Sequence, residues 1–190
     1  MEVLNKDEFL NKKRVNLRKL KDSIFIYPTD TIYGIGCDAR DDTLVEAIRG
    51  IKERFSRPFS VIAPSKDWIR DNCVVNKNVE EWLDKLPGPY TLILKLKDKN
   101  MIADSVNMDK DTLGVRIPDN WFTEVVSQLG FPIVTTSANL SGGDFMTSLD
   151  NLDRDIERKV DLIVYDGELQ GSPSTLVFLD KEKPEIKKRD

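Results

Sequence analysis

The stretch that most constrains this chain runs from Tyr27 to Ala39: Tyr27-Pro28-Thr29-Asp30-Thr31-Ile32-Tyr33-Gly34-Ile35-Gly36-Cys37-Asp38-Ala39. Ahead of it, Ser23-Ile24-Phe25-Ile26-Tyr27 has the apolar, β-branched and aromatic character of a buried strand. Pro28 lacks an N–H and ends the pairing. Two threonines, one aspartate and two glycines then follow within eight residues. A buried strand needs partners on both edges, so the chain must build a sheet. Open α/β sheets place ligands where strand ends give way to polar loops of this kind.

The same pattern recurs once. Phe131-Pro132-Ile133-Val134-Thr135-Thr136 reads as a strand and runs into Ser137-Ala138-Asn139-Leu140-Ser141-Gly142-Gly143. Further strands are expected at Phe59–Ala63, Tyr90–Lys97, Leu113–Pro118, Leu162–Tyr165, Ser174–Leu179 and Glu185–Lys187. Helical spacing appears at Asp7–Leu20, from Asp41 to Lys52–Arg54, at Lys66–Arg70 and Asn78–Leu86, from Trp121 to Leu129, and at Leu149–Lys159. Thr43 and Glu46 have capping-box spacing. Asp98–Asp111 is polar and reads as a surface loop. These elements predict one α/β domain over 1–190, with a twisted, mixed parallel and antiparallel open sheet flanked by helices.

Composition removes several function classes. The 190 residues contain no histidine, which excludes Ser-His-Asp and Cys-His catalysis and leaves Lys, Arg, carboxylates, hydroxyls and backbone donors. Two distant cysteines, Cys37 and Cys73, without histidine make no zinc site, and they are expected as buried thiols. No apolar run is long enough to span a bilayer, and the N-terminal twenty residues lack the apolar core of a signal peptide, so the expected location is cytoplasmic. With 29 basic and 33 acidic side chains, net −4, the chain is not a globally basic nucleic-acid binder, although a local basic face remains open.

Three sets of residues are candidates for chemistry. Lys52 and Arg54 stand two apart, so they converge on one ligand only if the helix ends between them; otherwise they are cations on a solvated last turn, complementing the helix dipole. Clustered with Arg57 they suit phosphate oxygens. Arg116 sits between Val115 and Ile117 and needs an anion, either an internal carboxylate or one brought by a ligand. Ser137, Asn139 and Ser141-Gly142-Gly143 offer hydroxyl, amide and backbone donors without a base, suited to holding a polar ligand or simply to capping a turn. Neither a P-loop nor a complete dinucleotide fingerprint is present, and Gly34-Ile35-Gly36 alone is a weak signal.

Together, Tyr27-Pro28-Thr29-Asp30-Thr31-Ile32-Tyr33-Gly34-Ile35-Gly36, Lys52-x-Arg54, Pro87-Gly88-Pro89-Tyr90-Thr91-Leu92, Gly114-Val115-Arg116-Ile117-Pro118, Ser137-Ala138-Asn139-Leu140-Ser141-Gly142 and Ser174-Thr175 resemble the YrdC-type threonylcarbamoyl-AMP synthase family, in its single-domain form. The resemblance spans nearly the whole chain. It implies a nucleotidyltransferase that makes threonylcarbamoyl-AMP and pyrophosphate from L-threonine, bicarbonate or CO2, and ATP with Mg2+. The product would serve threonylcarbamoyladenosine modification of tRNA through a downstream transfer machinery.

Matched by position, Lys52, Arg54, Ser137 and Asn139 are implied as the catalytic set and ATP contacts, with Thr112 and Arg189 as further ATP contacts. Thr31, Arg116, Thr135 and Ser174 are implied as threonine contacts, Arg116 taking the carboxylate. No protein metal ligand is implied. The chain departs from the family's pattern at Phe55-Ser56-Arg57-Pro58 and at Phe145. The alternative is a double-stranded RNA or tRNA-binding module without catalysis, using Lys52, Arg54 and Arg57 with Lys12, Lys13 and Arg14.

Overall fold

A computed structural model describes residues 1–189. Ten strands form one continuous sheet: β1 (Glu2–Asn5), β2 (Phe25–Tyr27), β3 (Gly34–Gly36), β4 (Ser60–Ile62), β5 (Tyr90–Lys95), β6 (Thr112–Arg116), β7 (Ile133–Ser137), β8 (Leu162–Tyr165), β9 (Thr175–Phe178) and β10 (Glu185–Lys187). Their spatial order is β1-β8-β2-β3-β7-β4-β6-β5-β9-β10. Pairing is mixed as expected. β8 runs parallel to β1 and β2, β4 to β6, and β5 to β9, while β3, β7, β4 and the β5–β6 and β9–β10 pairs supply antiparallel ladders.

Strand alternation assigns side chains to two cores. Phe25 and Tyr27 point to one face, where they pack with Phe9, Leu20, Phe122 and Val126 from α1 (Lys6–Asn11), α2 (Lys13–Lys21) and α7 (Phe122–Leu129). The Tyr27 and Phe122 rings stack at 5.0 Å between centroids. Ile24 and Ile26 point to the other face, toward Val45, Ile48 and Ile51 of α3 (Asp42–Lys52). That side also receives α4 (Lys66–Asn72), α5 (Lys77–Leu83), α6 (Asp104–Asn107) and α8 (Arg154–Glu157).

The structure differs from the sequence expectations at five places. The stretch after Tyr27 is not one loop: a six-residue turn, 28–33, leads into β3, which pairs back onto β2 and onto β7. Gly34 and Gly36 therefore serve close approach rather than a turn, because a Cβ on either would stand 2.9 or 2.8 Å from the Tyr27 ring laid across them. The helix expected over Asp7–Leu20 is two helices broken at Lys12 and preceded by the unexpected strand β1, with the Asn5 side chain capping α1 through Glu8 N–H at 2.9 Å. Asp41, not Thr43, caps α3, its Oδ1 accepting from Leu44 N–H at 3.0 Å. The polar stretch 98–111 folds into a short turn and α6, since Ile102, Ala103 and Val106 are buried. The expected charged helix over 149–159 is a single turn at Leu149–Asn151 followed by α8, which buries Ile156.

Candidate active site

The local fold that brings Lys52 and Arg54 together begins with the end of α3. Glu53 adopts a left-handed backbone (φ 50°, ψ 39°), so the chain turns sharply after Lys52. That stop resolves the geometric problem of two cations two residues apart. Lys52 is only 1% exposed, which removes the reading as a solvated last turn. Its ammonium donates to the Ser137 carbonyl at 2.5 Å, the Asn139 carbonyl at 2.6 Å and Asn139 Oδ1 at 3.2 Å. In return the Ser141 hydroxyl donates to the Lys52 carbonyl at 2.8 Å. The end of α3 and the loop after β7 are thus one interlocked unit. Burial, reinforced by neighbouring Arg54, pushes the Lys52 ammonium down to about 7.

Asn139 Nδ2 donates to the Gly143 carbonyl at 2.7 Å, and its Oδ1 also accepts from the Ser137 hydroxyl. Lys52, Arg54, Ser137 and Asn139 line one basin together with Glu53, Phe55, Ser56, Arg57, Ser141 and Gly142. Three of these side chains are cationic and one is acidic.

A second basin adjoins it. Thr29, Thr31, Ser60, Thr135, Thr136, Ser137 and Ser174 give its wall a row of hydroxyls, and Arg54, Arg116 and Arg189 give it charge. Thr31 comes from the β2–β3 turn, Thr135 and Ser137 from β7, Arg116 from the end of β6, and Ser174 from the residue ahead of β9. The register explains the convergence: Ser60 of β4 stands opposite Thr135, and Gly34 of β3 opposite Ser137. Arg54 and Ser137 belong to both walls, so they stand where occupants of the two basins meet.

Arg116 is 6% exposed, and its Nη2 donates to Asp30 Oδ1 at 2.7 Å and to Thr31 Oγ1 at 3.2 Å. The internal anion left open by the sequence is therefore Asp30, itself fixed by Asp119 N–H at 3.0 Å from Oδ2. Arg116 Nε is buried without a partner, as is Arg54 Nε. Burial lowers the pKa of both guanidiniums; Asp30 partly offsets this for Arg116, whereas Arg57 and Arg49 add to it for Arg54. Buried donors of this kind carry an unmet demand for acceptors, which an anionic ligand satisfies.

The Ser174 hydroxyl lies 2.6 Å from Thr91 Oγ1 and accepts from Arg189 Nη2 at 2.6 Å, while Arg189 Nε donates to the Ser174 carbonyl at 2.8 Å. Burial, with Arg116 and Arg54 nearby, pushes Arg189 down to about 10. Of the ten sequence candidates, nine line one or both basins. Arg189 lies in the hydroxyl-rich wall beside Ser174 rather than among the Lys52 group. Thr112 stands apart from both walls. It starts β6 opposite Lys95, and four residues of strand place it about 13 Å from Arg116 at the other end.

Several contributors escaped the sequence reading. Thr29 Oγ1 accepts from Thr31 N–H at 3.1 Å and lies 2.9 Å from Thr31 Oγ1, shaping the turn. Gly171 lets the 166–174 segment cross the Thr31 backbone, since a Cβ there would stand 2.8 Å from Thr31 Cα. Phe145 lines the hydroxyl-rich basin, where the sequence marks a departure from the family pattern. A glycine three residues before Ser174-Thr175 was the available signal for the crossing. Both cysteines are buried free thiols, no three metal-ligating side chains gather, and no helix is long and apolar enough to cross a membrane, all among the described residues.

The site is thus two joined basins on an open mixed sheet, one rich in hydroxyls and both lined by cations. The chain belongs to the Sua5/YciO/YrdC family, whose model, described as "Telomere recombination", matches residues 19–189. A Methanocaldococcus jannaschii protein provisionally named threonylcarbamoyl-AMP synthase is 37% identical over 180 residues, 93% of this chain and 81% of that protein. The structure of P. abyssi Sua5 complexed with L-threonine superposes with a TM-score of 0.85 at 26% identity, over 97% of this chain. This chain spans 56% of that Sua5 chain. E. coli YciO shares the fold at a TM-score of 0.82 and 24% identity, covering 99% of this chain and 94% of its own.

Proposed function

We propose that the protein condenses L-threonine, bicarbonate or CO2, and ATP into threonylcarbamoyl-AMP, releasing pyrophosphate, and so acts as a nucleotidyltransferase. The observation that carries this reading is the pair of basins sharing Arg54 and Ser137. The amino acid occupies the hydroxyl-rich basin. Its carboxylate meets the free donor capacity of Arg116, and Thr31, Thr135 and Ser174 hold its polar groups. The triphosphate occupies the neighbouring basin against Lys52, Arg54, Ser137 and Asn139. Thr112 has no place in this arrangement, and Arg189 belongs to the amino-acid side.

In the reaction the threonine nitrogen attacks CO2, forming a C–N bond and losing a proton. A carbamate oxygen then attacks the α-phosphorus of ATP, and the bond to the β-phosphate oxygen breaks as pyrophosphate leaves. Neither step needs an enzyme nucleophile, which suits a chain without histidine. Rate comes from alignment of the two ligands and from cations placed where negative charge accumulates. Mg2+ would enter with ATP, carried by the phosphate oxygens of the substrate. A cytoplasmic location and hand-over of the product to a tRNA-modifying transferase belong to the same reading; the free thiols support the former. The test is pyrophosphate release with each substrate omitted in turn. Release that persists without threonine refutes the proposed acceptor.

A further inference from the structure

Arg49 lines neither basin, yet it is 2% exposed and is the largest fully buried side chain of the protein. Among the described residues no carboxylate forms an ion pair with it, Glu46 acting only at longer range. Its guanidinium instead spends all five N–H groups on backbone carbonyls. Nη1 donates to the Arg54 carbonyl at 2.8 Å and to the Arg57 carbonyl at 3.0 Å. Nε donates to the Ser105 carbonyl at 2.7 Å, and Nη2 donates to Ser105 and to the Val106 carbonyl, the latter at 3.2 Å. The group lies 4.4 Å from the centroid of the Phe59 ring. One planar fork therefore ties the 54–57 turn to α6, two segments that sequence separates by about fifty residues.

The consequence concerns Arg54 and Arg57. Their carbonyls are held by Arg49 while their side chains line the Lys52 basin, Arg54 Nη2 also donating to the Pro58 carbonyl at 3.1 Å. Burial lowers the pKa of Arg54 and the nearby Arg57 and Arg49 charges add to it, so three mutually repelling cations are held together across this turn by the carbonyl bonds. We propose that Arg49 is a positioning residue for nucleotide binding: it clamps the carbonyls of the 54–57 turn and thereby aims Arg54 and Arg57 at the phosphates. This rests on the assignment of that basin to ATP. Lysine carries the same charge but has three donors on a flexible stem, so it cannot span both segments.

Calorimetric binding of a non-hydrolysable ATP analogue and of L-threonine, measured separately on the wild-type chain and on Arg49→Lys, tests this. The variant is expected to bind the analogue about tenfold or more weakly, with a clearly smaller loss for threonine, whose basin Arg54 also lines. Equal loss of both ligands, or loss of neither, overturns the proposal. A second measurement needs no variant. Hydrogen exchange on the wild type with the analogue bound should slow at 104–107 as well as at 53–58, although 104–107 lines neither basin. Protection confined to 53–58 overturns the clamp even if Arg49→Lys fails to fold. A wild type that binds threonine but no analogue removes the nucleotide assignment and the clamp together, whereas analogue binding without the Arg49 effects removes the clamp alone.

Discussion

Triphosphate binding should draw a proton from solution, and Lys52 is the residue that takes it. Without ligand, burial holds this ammonium at about 7, well under the ordinary lysine value of 10.5. A polyanion laid against it restores the charged form. Near pH 8 a group titrating at about 7 is only about one-tenth protonated, so binding that fully charges it takes up about 0.9 proton per site. If the bound state titrates near the ordinary lysine value, affinity falls about 50-fold between roughly pH 7 and pH 9, or about 2.3 kcal/mol. The assay is isothermal titration of the ATP analogue in buffers of different ionisation enthalpy, with Lys52→Met as the reference that should show no such uptake. Uptake that is absent in the wild type, or unchanged in Lys52→Met, refutes the assignment. The same shift sets a stability trend. Between about pH 7 and pH 10.5 the unfolded chain binds more protons at this residue than the folded one. Its contribution therefore favours folding increasingly as pH rises through that window.

Two further predictions concern the amino-acid side. Asp30→Asn leaves Arg116 without its internal anion, which should lower stability by about 3 kcal/mol, as for other broken buried pairs; saturating threonine should then raise Tm more in this variant than in the wild type, and an equal or smaller rise contradicts the placement of the carboxylate. Gly171→Ala drives a Cβ to within 2.8 Å of Thr31 Cα, so the segment carrying Ser174 must shift. We expect KM for threonine to rise about tenfold, with Gly50→Ala, which meets open space on a helix, as a neutral or slightly stabilising control; unchanged KM in Gly171→Ala argues against the crossing.

What was legible in the sequence follows from which interactions are local. Strands β2, β7 and β8 announce themselves as short apolar runs, and the end of α3 is close to where the periodicity fades. The mixed sheet follows from the alternation of these runs with helical segments. The short strands β1 and β3 did not show. Glu2–Asn5 is nearly all exposed and pairs only with distant β8, and Gly34–Gly36 offers one side chain, Ile35, between two glycines, too little to signal a pleat. Lys52 and Arg54 could be singled out by type and spacing, but their convergence depends on one left-handed residue at Glu53. Arg116 declared its need for an anion; that Asp30 supplies one depends on contact across 86 residues. Arg49 gave no signal, because its partners are carbonyls, which every residue has. Thr112 shows the opposite limit: positional matching placed it at the site, and strand geometry places it at the far end of β6.

In the proposed reaction an amino-acid carbamate in one basin attacks ATP in the other across Arg54 and Ser137. Mass spectrometry of the adenylate formed from ATP, L-threonine and carbon-13 bicarbonate tests it most directly. The expected product is a threonine adenylate that carries the bicarbonate carbon, one mass unit heavier than with ordinary bicarbonate, and that fails to form with Arg54→Ala. A threonyl adenylate without that carbon, or no adenylate from a folded chain that binds both ligands, would contradict it.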